Sequence, residues 1–507
     1  MLKKALILGF LFGSVLLWSQ DSLNRPQVSS SYVKSFTAED YSPVYTKLTL
    51  MEGYDFPLQS TCKFFKTLNN YFTSQSKQQS LFLYQKDKKL IEGHVLGGTE
   101  YYSNNDSESY FFPYYGFEVK ANFDKLYIAG KWWKGHTTTQ DDYSQDNHLN
   151  NSWVQESKDG DNIYIDKIQG ELRYNFPDFG YVSLNRGKLN IGSNIGGSII
   201  LNDQKTNDYS YLNYHFNFGD FLLDFAHAAL ISDSINTPAS ALGSIPKESA
   251  PDKYLALHRF GWRPNNSLFL FVGEEIYYGN RGVDYNYFLP VGFWRITEHN
   301  QADRDNILIF AGAEYSPTHN LHLYTNIIFD ELSKSKIFTS WWGNKYAIQT
   351  GLMQKDIFTS PLISWKNLGV EFTAVRPWIY THKYLYTKAS NDNEPLGFAD
   401  GSNLLKYTLE SNLSFFSDML NYSVNASYMR QGSTGNNFSM NYSDYIEDSE
   451  NDRASWLDGL ITDTYRLKQE LDFNFLYSHR LKVTYELAKA RKGSTESEIV
   501  LSYQTRF

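Results

Sequence analysis

Cysteine is almost missing from this chain: Cys62 is its single example. An intramolecular disulfide is therefore excluded, as is a cysteine-rich zinc site. Beyond the N-terminus, no stretch reaches the roughly 20 apolar residues that a membrane-spanning helix needs. Positive charge is in deficit. Against 56 Asp and Glu stand 47 Lys and Arg, a formal charge of −9, which argues against nucleic acid as a partner. Catalytic signatures are missing as well: no G-x-S-x-G elbow, no H-E-x-x-H, no P-loop and no G-x-G-x-x-G. No repeat of 20–50 residues is visible, which disfavours a propeller.

Aromatics are abundant, at 17% of the chain with 39 Tyr and 35 Phe, although mean hydropathy is only −0.47. Many apolar rings set among alternating polar residues suit a membrane barrel with aromatic girdles; a large soluble β-protein is the bland alternative. The chain opens with Lys3 and Lys4, runs apolar from Ala5 to Trp18, and meets Ser19-Gln20-Asp21. That is the pattern of a secretory signal peptide over residues 1–20. Residues 21–90 lack sustained alternation and are expected to form a small, partly helical N-terminal region, periplasmic or plugging a barrel.

From 91 to 507 the hydrophobic period is two. Segments of roughly 9 to 19 residues succeed one another, the length of a tilted membrane strand. The expectation is an all-β chain, a transmembrane antiparallel β-barrel of 18 strands, with 16 as the alternative count. The predicted strands begin with 91–101 and 111–121 and end with 466–477, 481–491 and 498–507. In the last of them Ile499, Leu501, Tyr503, Thr505 and Phe507 share one face. One strand, 368–386, contains Glu371 and Arg376 on opposite faces. Pro377 is expected to mark a bulge that restores a common face. Connections alternate between short (122–124, 263–267, 316–319, 417–420, 478–480) and long (136–162, 232–252, 280–305, 387–403, 433–465). Short turns belong to the periplasm and long loops to the cell exterior. The chain is thus expected in the outer membrane of a Gram-negative cell.

Several residues carry candidate chemistry. Trp132-Trp133 and Trp341-Trp342 fall toward the exterior, beside cationic groups. Sugar rings stack on such planes while charged neighbours bond hydroxyls or carboxylates. An interfacial girdle is the competing reading. The turn from Trp294 to His299, with Asp303 and Arg304, packs both charge signs together. It suits a glycan-contacting or pore-folding loop, and equally a set of self-paired salt bridges. Arg259, Arg263, Arg281, Arg376 and Arg430 lie on or beside strands. An arginine facing lipid at mid-depth costs roughly 2–4 kcal/mol, so these should point into a lumen of mixed charge. The loop 433–465 holds Asp444, Glu447, Asp448, Glu450, Asp452 and Asp458. It reads as a solvated loop or as a divalent-ion site shared with lipopolysaccharide. Glu371 with His382 is the one pair that would serve a hydrolase; ordinary lumen side chains are the simpler reading.

Four stretches resemble the outer-membrane capsule-assembly Wzi family in its Bacteroidetes form. They are Asn185-Arg186-Gly187 through Gly192 to Ser198–Asp203, and Lys253–Arg259 followed by Glu274–Gly279 and Tyr287–Pro290. The others are Leu323-Tyr324 to Phe329-Asp330-Glu331, and Glu371–His382 followed by Pro395-Leu396-Gly397 and Gly401. They span about residues 180–432. One departure is Arg186-Gly187 where the family favours the reverse order. The resemblance implies an 18-stranded barrel with a helical plug. It also implies a lectin that anchors exported capsular polysaccharide and is not an enzyme. Some relatives in gliding bacteria are tied to surface motility or secretion machinery.

The expected ligand-binding residues are therefore Trp132, Trp133, Trp341, Trp342, Asp303, Arg304 and Arg430, with no catalytic residue, metal or cofactor. The expected partners are surface polysaccharide, outer-membrane lipid and lipopolysaccharide, and envelope machinery proteins. The chain itself is expected to be a monomer. A diffusion porin and a motility or secretion component are the alternatives.

Overall fold

The computed structural model describes residues 81–507, except 87–88, 107–108, 139–153, 160–161, 178, 234–250, 332–334, 337–338, 361, 417, 439–452, 476–478 and 492. The expected signal peptide, nearly all of the expected 21–90 region and most of the acidic loop lie outside the described residues.

Eighteen strands form one closed antiparallel barrel. In chain order they are β1 Lys89–Asn104, β2 Ser109–Phe123, β3 Leu126–Thr138, β4 Asn162–Phe176, β5 Gly180–Gly187 and β6 Tyr209–Phe218. Next come β7 Phe221–Leu230, β8 Lys253–Asn265, β9 Leu268–Gly279, β10 Asn306–Tyr315, β11 Leu321–Glu331 and β12 Lys345–Thr359. The last six are β13 Ile363–Val375, β14 Leu404–Phe415, β15 Leu420–Gly432, β16 Ile461–Phe475, β17 His479–Ala490 and β18 Thr495–Arg506. Each pairs with its sequence neighbour. Closure is made by β18 on β1, from Leu96↔Arg506 to Asn104↔Glu498. Phe507 exchanges both backbone hydrogen bonds with Val95, at 2.7 and 2.9 Å. A short strand, Phe82–Lys86, prolongs the same edge of β1. Lipid offers no hydrogen bonds, and each backbone group left open in it costs several kcal/mol, so a sheet spanning a membrane must close.

Every expected strand falls on an observed one, and from β2 to β17 short connections at one end alternate with long ones at the other; the connections 105–108 and 491–494, at the long-loop end, are short. The tight turns use left-handed residues, Asp124 (φ 63°) and Gly219 (φ 65°). One expected strand is too long. The stretch 368–386 leaves the wall after Val375, where Arg376 and Pro377 begin a loop, so no bulge brings Glu371 and Arg376 to one face. Pro377 ends the ladder because it has no N–H to donate.

The inner face of β5 to β14 is packed by the protein's own loops. Residues 188–208 and 376–403 both fold into the lumen. Leu189, Ile191, Ile199, Ile200 and Leu201 from the first meet Ile379, Tyr380, Leu396 and Phe398 from the second. Inward side chains of the wall, among them Leu257, Phe269, Phe310 and Ile328, complete this buried cluster.

The outer face of the same wall is covered too. A second buried cluster uses the residues of opposite parity, Phe225, Ala256, Ile276, Tyr278 and Ile307. Over them lie Tyr287, Phe288 and Trp294 from the loop 280–305, which carries a short helix α1, Trp294–Asn300. The strands there are apolar on both faces, and each face has its own cover.

Phe310 is fully buried in the lumen cluster. Phe310→Ala should cost about 3–5 kcal/mol. Leu409→Ala on the exposed outer face should cost much less. Urea unfolding in detergent micelles, followed by tryptophan emission, measures both.

Candidate functional site

The inner loops are locked to the wall by polar side chains that point into the lumen from β10 to β13. Glu371 of β13 is the hub. It accepts hydrogen bonds from the backbone N–H groups of Ile195 (2.8 Å) and Gly196 (2.9 Å) and from the Tyr324 hydroxyl (2.6 Å). Glycine is required at 196: a Cβ there would stand 2.9 Å from Glu371 Oε1 and 2.8 Å from Thr408 Oγ1. Gln349 Nε2 donates to the Gly197 carbonyl at 2.7 Å, and Asn326 Nδ2 to the Ser193 carbonyl at 2.9 Å. The two loops also hold each other. The Tyr380 hydroxyl donates to the Ile199 carbonyl at 2.6 Å, and the Asn202 N–H to the Leu396 carbonyl at 2.8 Å.

A cavity of about 870 Å³ remains beside these loops, against β1–β4 and β14–β18. It follows β18 inward from Glu498, near the long-loop end, through Val500 and Ser502 to Gln504 near the other. Its walls carry Lys205, Lys406, Arg466, Lys468, Arg480 and Lys482 against Glu100, Asp400, Glu410, Glu470, Glu486 and Glu498. Phe112, Tyr114 and Trp133 add aromatic surface on the opposite wall. The lumen is thus of mixed charge, as expected.

Many of these charges are paired across strands. Lys482 Nζ lies 2.7 Å from Glu470, and Arg480 Nε 2.9 Å from Asp472. Asp400, on the second inner loop, takes Lys406 at 2.6 Å and Arg466 at 2.5 Å. Burial alone would raise the Asp400 pKa, but these two cations outweigh it and hold the carboxyl well below its usual range.

The candidate residues do not converge on one site. Trp133 faces the lumen, with Lys131 Nζ 4.1 Å and Lys167 Nζ 5.6 Å from its ring centroid. Trp132 faces outward and touches Tyr115 and Phe117, whose rings are exposed. Trp341 and Trp342 sit on the outer loop before β12, their rings 5.6 Å apart, with Lys336 Nζ 4.9 Å from Trp341 and Lys345 Nζ 5.4 Å from Trp342.

Asp303 and Arg304 belong to the loop on the outer wall and do not fold into the pore. The charges of that loop are largely matched among themselves: Arg281 with Asp305 at 2.6 Å, and Arg295 with Glu298 at 3.1 Å. Glu298, His299 and Asp303 bring possible ligand atoms within 4.8 Å of one another, with the Arg295 guanidinium 3.1 Å from Glu298 and 3.9 Å from Asp303.

The expectation that strand arginines point into the lumen holds for Arg259, buried on Asp224 at 2.7 Å, and fails for Arg281, which sits over the outward Tyr278 ring and pairs with Asp305, and for Arg430. Arg430 shares the outward face of Tyr428 and pairs with Asp463 at 3.0 Å, two residues from the end of β15. At the rim water and headgroups reach the side chain, so the mid-depth penalty does not apply. Arg376 is buried in the outer loops and donates to the carbonyls of Asn344 (3.1 Å) and Ala454 (3.0 Å).

Glu371 is committed to the inner loop, while His382 bonds Thr387 Oγ1 at 2.5 Å. Burial lowers the His382 pKa to about 3, so its imidazole stays neutral. Sequence reasoning missed Glu371 as a loop anchor. The adjacent signal was the Gly-rich run Gly192 to Gly197, whose N–H groups need a buried acceptor.

No family model matches the chain, and no curated protein matches it. Solved structures do. One is Wzi of Escherichia coli, an outer-membrane protein involved in group 1 capsule assembly and described as a carbohydrate-binding β-barrel. It is 13% identical, with a TM-score of 0.52, over 82% of this chain and 84% of that one. Another is OccD3 (OpdP) of Pseudomonas aeruginosa, 10% identical, with a TM-score of 0.46, over 85% and 93%. A third, OpdK of Pseudomonas aeruginosa with vanillate, is 9% identical, with a TM-score of 0.45, over 82% and 98%. At these identities the likeness to Wzi shows the fold alone. It places this chain among large outer-membrane-type barrels.

Asp400 ties an inner loop to β14 and β16, and its folded pKa is depressed. The stability it contributes is therefore fully present above the unfolded value of about 4 and is lost as pH falls through the folded value. Asp400→Asn should lower the unfolding midpoint at pH 7, and the gap to the parent should shrink progressively below about pH 4. Urea midpoints across pH measure it.

Proposed function

We propose that this protein is a polysaccharide-binding outer-membrane barrel, and that it binds without turning its ligand over. The observation that carries the reading is the charged lane. Two wall loops fill much of the lumen and are locked there by buried hydrogen bonds. What is left is a long hollow with cations and carboxylates facing one another and aromatic rings along one side. A hydrated sugar chain fits that chemistry. Its hydroxyls and acidic groups find charge-assisted partners at Lys205, Lys468 and Glu486, and its ring faces find Tyr114. The Trp341-Trp342 pair, with Lys336 and Lys345, offers a further contact at the outer end. The likeness in fold to a carbohydrate-binding barrel supports this reading. Glu371 and His382, each engaged elsewhere, give no support to hydrolysis.

A second reading, a selective pore, draws on the reach of the same lane along the height of β18. A lane of that reach would pass small polar solutes if it is open at both ends.

Two measurements separate these readings. Deleting the gene should release polysaccharide into the medium while its synthesis continues; unchanged cell-bound polysaccharide would reject the first reading. Purified protein in planar bilayers should show little steady current, and large steady conductance would favour the pore. Lys205→Gln and Tyr114→Ala should each weaken polysaccharide binding about tenfold, the loss of roughly 1.4 kcal/mol of contact. Isothermal titration with the isolated surface polysaccharide reads this directly. Glu371→Gln and His382→Ala should change no turnover of glycans or lipids, because none is expected in the parent.

A further inference from the structure

The outer cover on β6–β10 has a chemistry of its own. We propose that residues 282–296 lie in the outer leaflet of the membrane, with their apolar side against lipid acyl chains. The reasoning starts from what the segment covers. Phe225, Ala256, Ile276 and Tyr278 have the parity of lipid-facing residues, and further down the same faces Phe260 and Val272 remain exposed. The segment therefore continues the lipid belt, one layer further out.

What the segment itself shows is equally apolar. Tyr285 is 82% exposed, Phe293 74%, Val291 67% and Ile296 62%. A patch of that kind is rarely left open to water. The polar groups are hidden or matched. Glu274 accepts from His258 at 3.0 Å and from the Trp294 N–H at 2.8 Å, and Trp294 stacks on His258 at 4.1 Å, sealing the pair. Arg281 and Arg295 are neutralised by carboxylates of the same loop. An outward-facing Glu and His on membrane strands would be costly without this lid.

Beside Val283 the outer wall also forms a groove of about 680 Å³, lined mostly by apolar groups such as Ile128, Ile168, Leu172, Leu184 and Tyr254, with Arg186, Ser210 and His227 as polar members. Gly130 lies in it, and a Cβ at that position would meet nothing within 4 Å. A mostly apolar hollow with one cation at its side, Arg186 bonded to Ser210 at 3.4 Å, suits a hydrocarbon chain that carries an anionic or polar head. Residues 282–296 thus form a membrane-seated element, and Trp294, buried within it, is not open to a sugar.

The test uses the full chain with Cys62→Ser and one new cysteine, Phe293→Cys, labelled with an NBD fluorophore and refolded into phosphatidylcholine vesicles. Val272→Cys, on the exposed outer face of β9, reports lipid. Ser340→Cys, on an outer loop, reports water. The probe at 293 should match the one at 272: blue-shifted emission, quenched severalfold more by doxyl-labelled lipid than by iodide. A 293 probe quenched preferentially by iodide, like the one at 340, would overturn the proposal. If the 272 probe also prefers iodide, the membrane placement of the whole barrel falls, and this inference with it. Ile296→Cys provides a second position if Phe293→Cys does not refold.

Discussion

Everything in this molecule follows from the poverty of lipid as a hydrogen-bonding solvent. A strand crossing a bilayer must spend every N–H and C=O on a neighbouring strand, so the sheet has to close on itself. Here the closing seam joins the last strand to the first described barrel strand, with Phe507 bonded back to Val95. Closure divides the side chains by parity. One set meets lipid and is built from Tyr, Phe, Leu and Val. The other is shut inside, where charge is tolerated if it is matched. The charged lane and the aromatic exterior are two results of the same constraint.

The inner set then creates a second demand. Polar groups such as Glu371, Asn326 and Gln349 point into the lumen and need partners, because a buried unsatisfied group costs about 1–3 kcal/mol. The loops 188–208 and 376–403 supply backbone donors and acceptors for them and bring their own apolar side chains. The middle of the barrel becomes a buried core. A wall filled this way narrows the route for free diffusion. That is why the remaining lane, and not the barrel's girth, sets what the protein can accommodate.

Much of the wall was legible in advance. Alternation is a local signal, and each hairpin advertises its own faces, so the 18 segments from 91–101 to 498–507 all landed on strands. One error arose where strand-forming residue types continued past the wall. Val375-Arg376-Pro377-Trp378-Ile379-Tyr380 keeps the aromatic and β-branched residues of a strand, yet Trp378 and Tyr380 adopt left-handed backbone angles of 68° and 73° and leave the wall. Arg430 was misplaced because parity alone does not reveal depth. At mid-membrane an outward arginine is costly, whereas at the rim beside Asp463 it is ordinary. The tryptophans divided by parity itself: Trp132 and Trp133 are adjacent in sequence and so lie on opposite sides of the wall.

The sequence by itself determined the barrel and the sorting of apolar and charged residues onto two faces, while the choice of 18 strands over 16 came from the structure. The first two depend only on spacing between near neighbours. The tertiary structure alone decided what each face touches. Glu371 finds Ile195 and Gly196 some 175 residues away, and Trp294 settles over His258 on the outside of the wall. Such meetings depend on how a closed surface curves and on which way a long loop falls from its rim, and no local period encodes either.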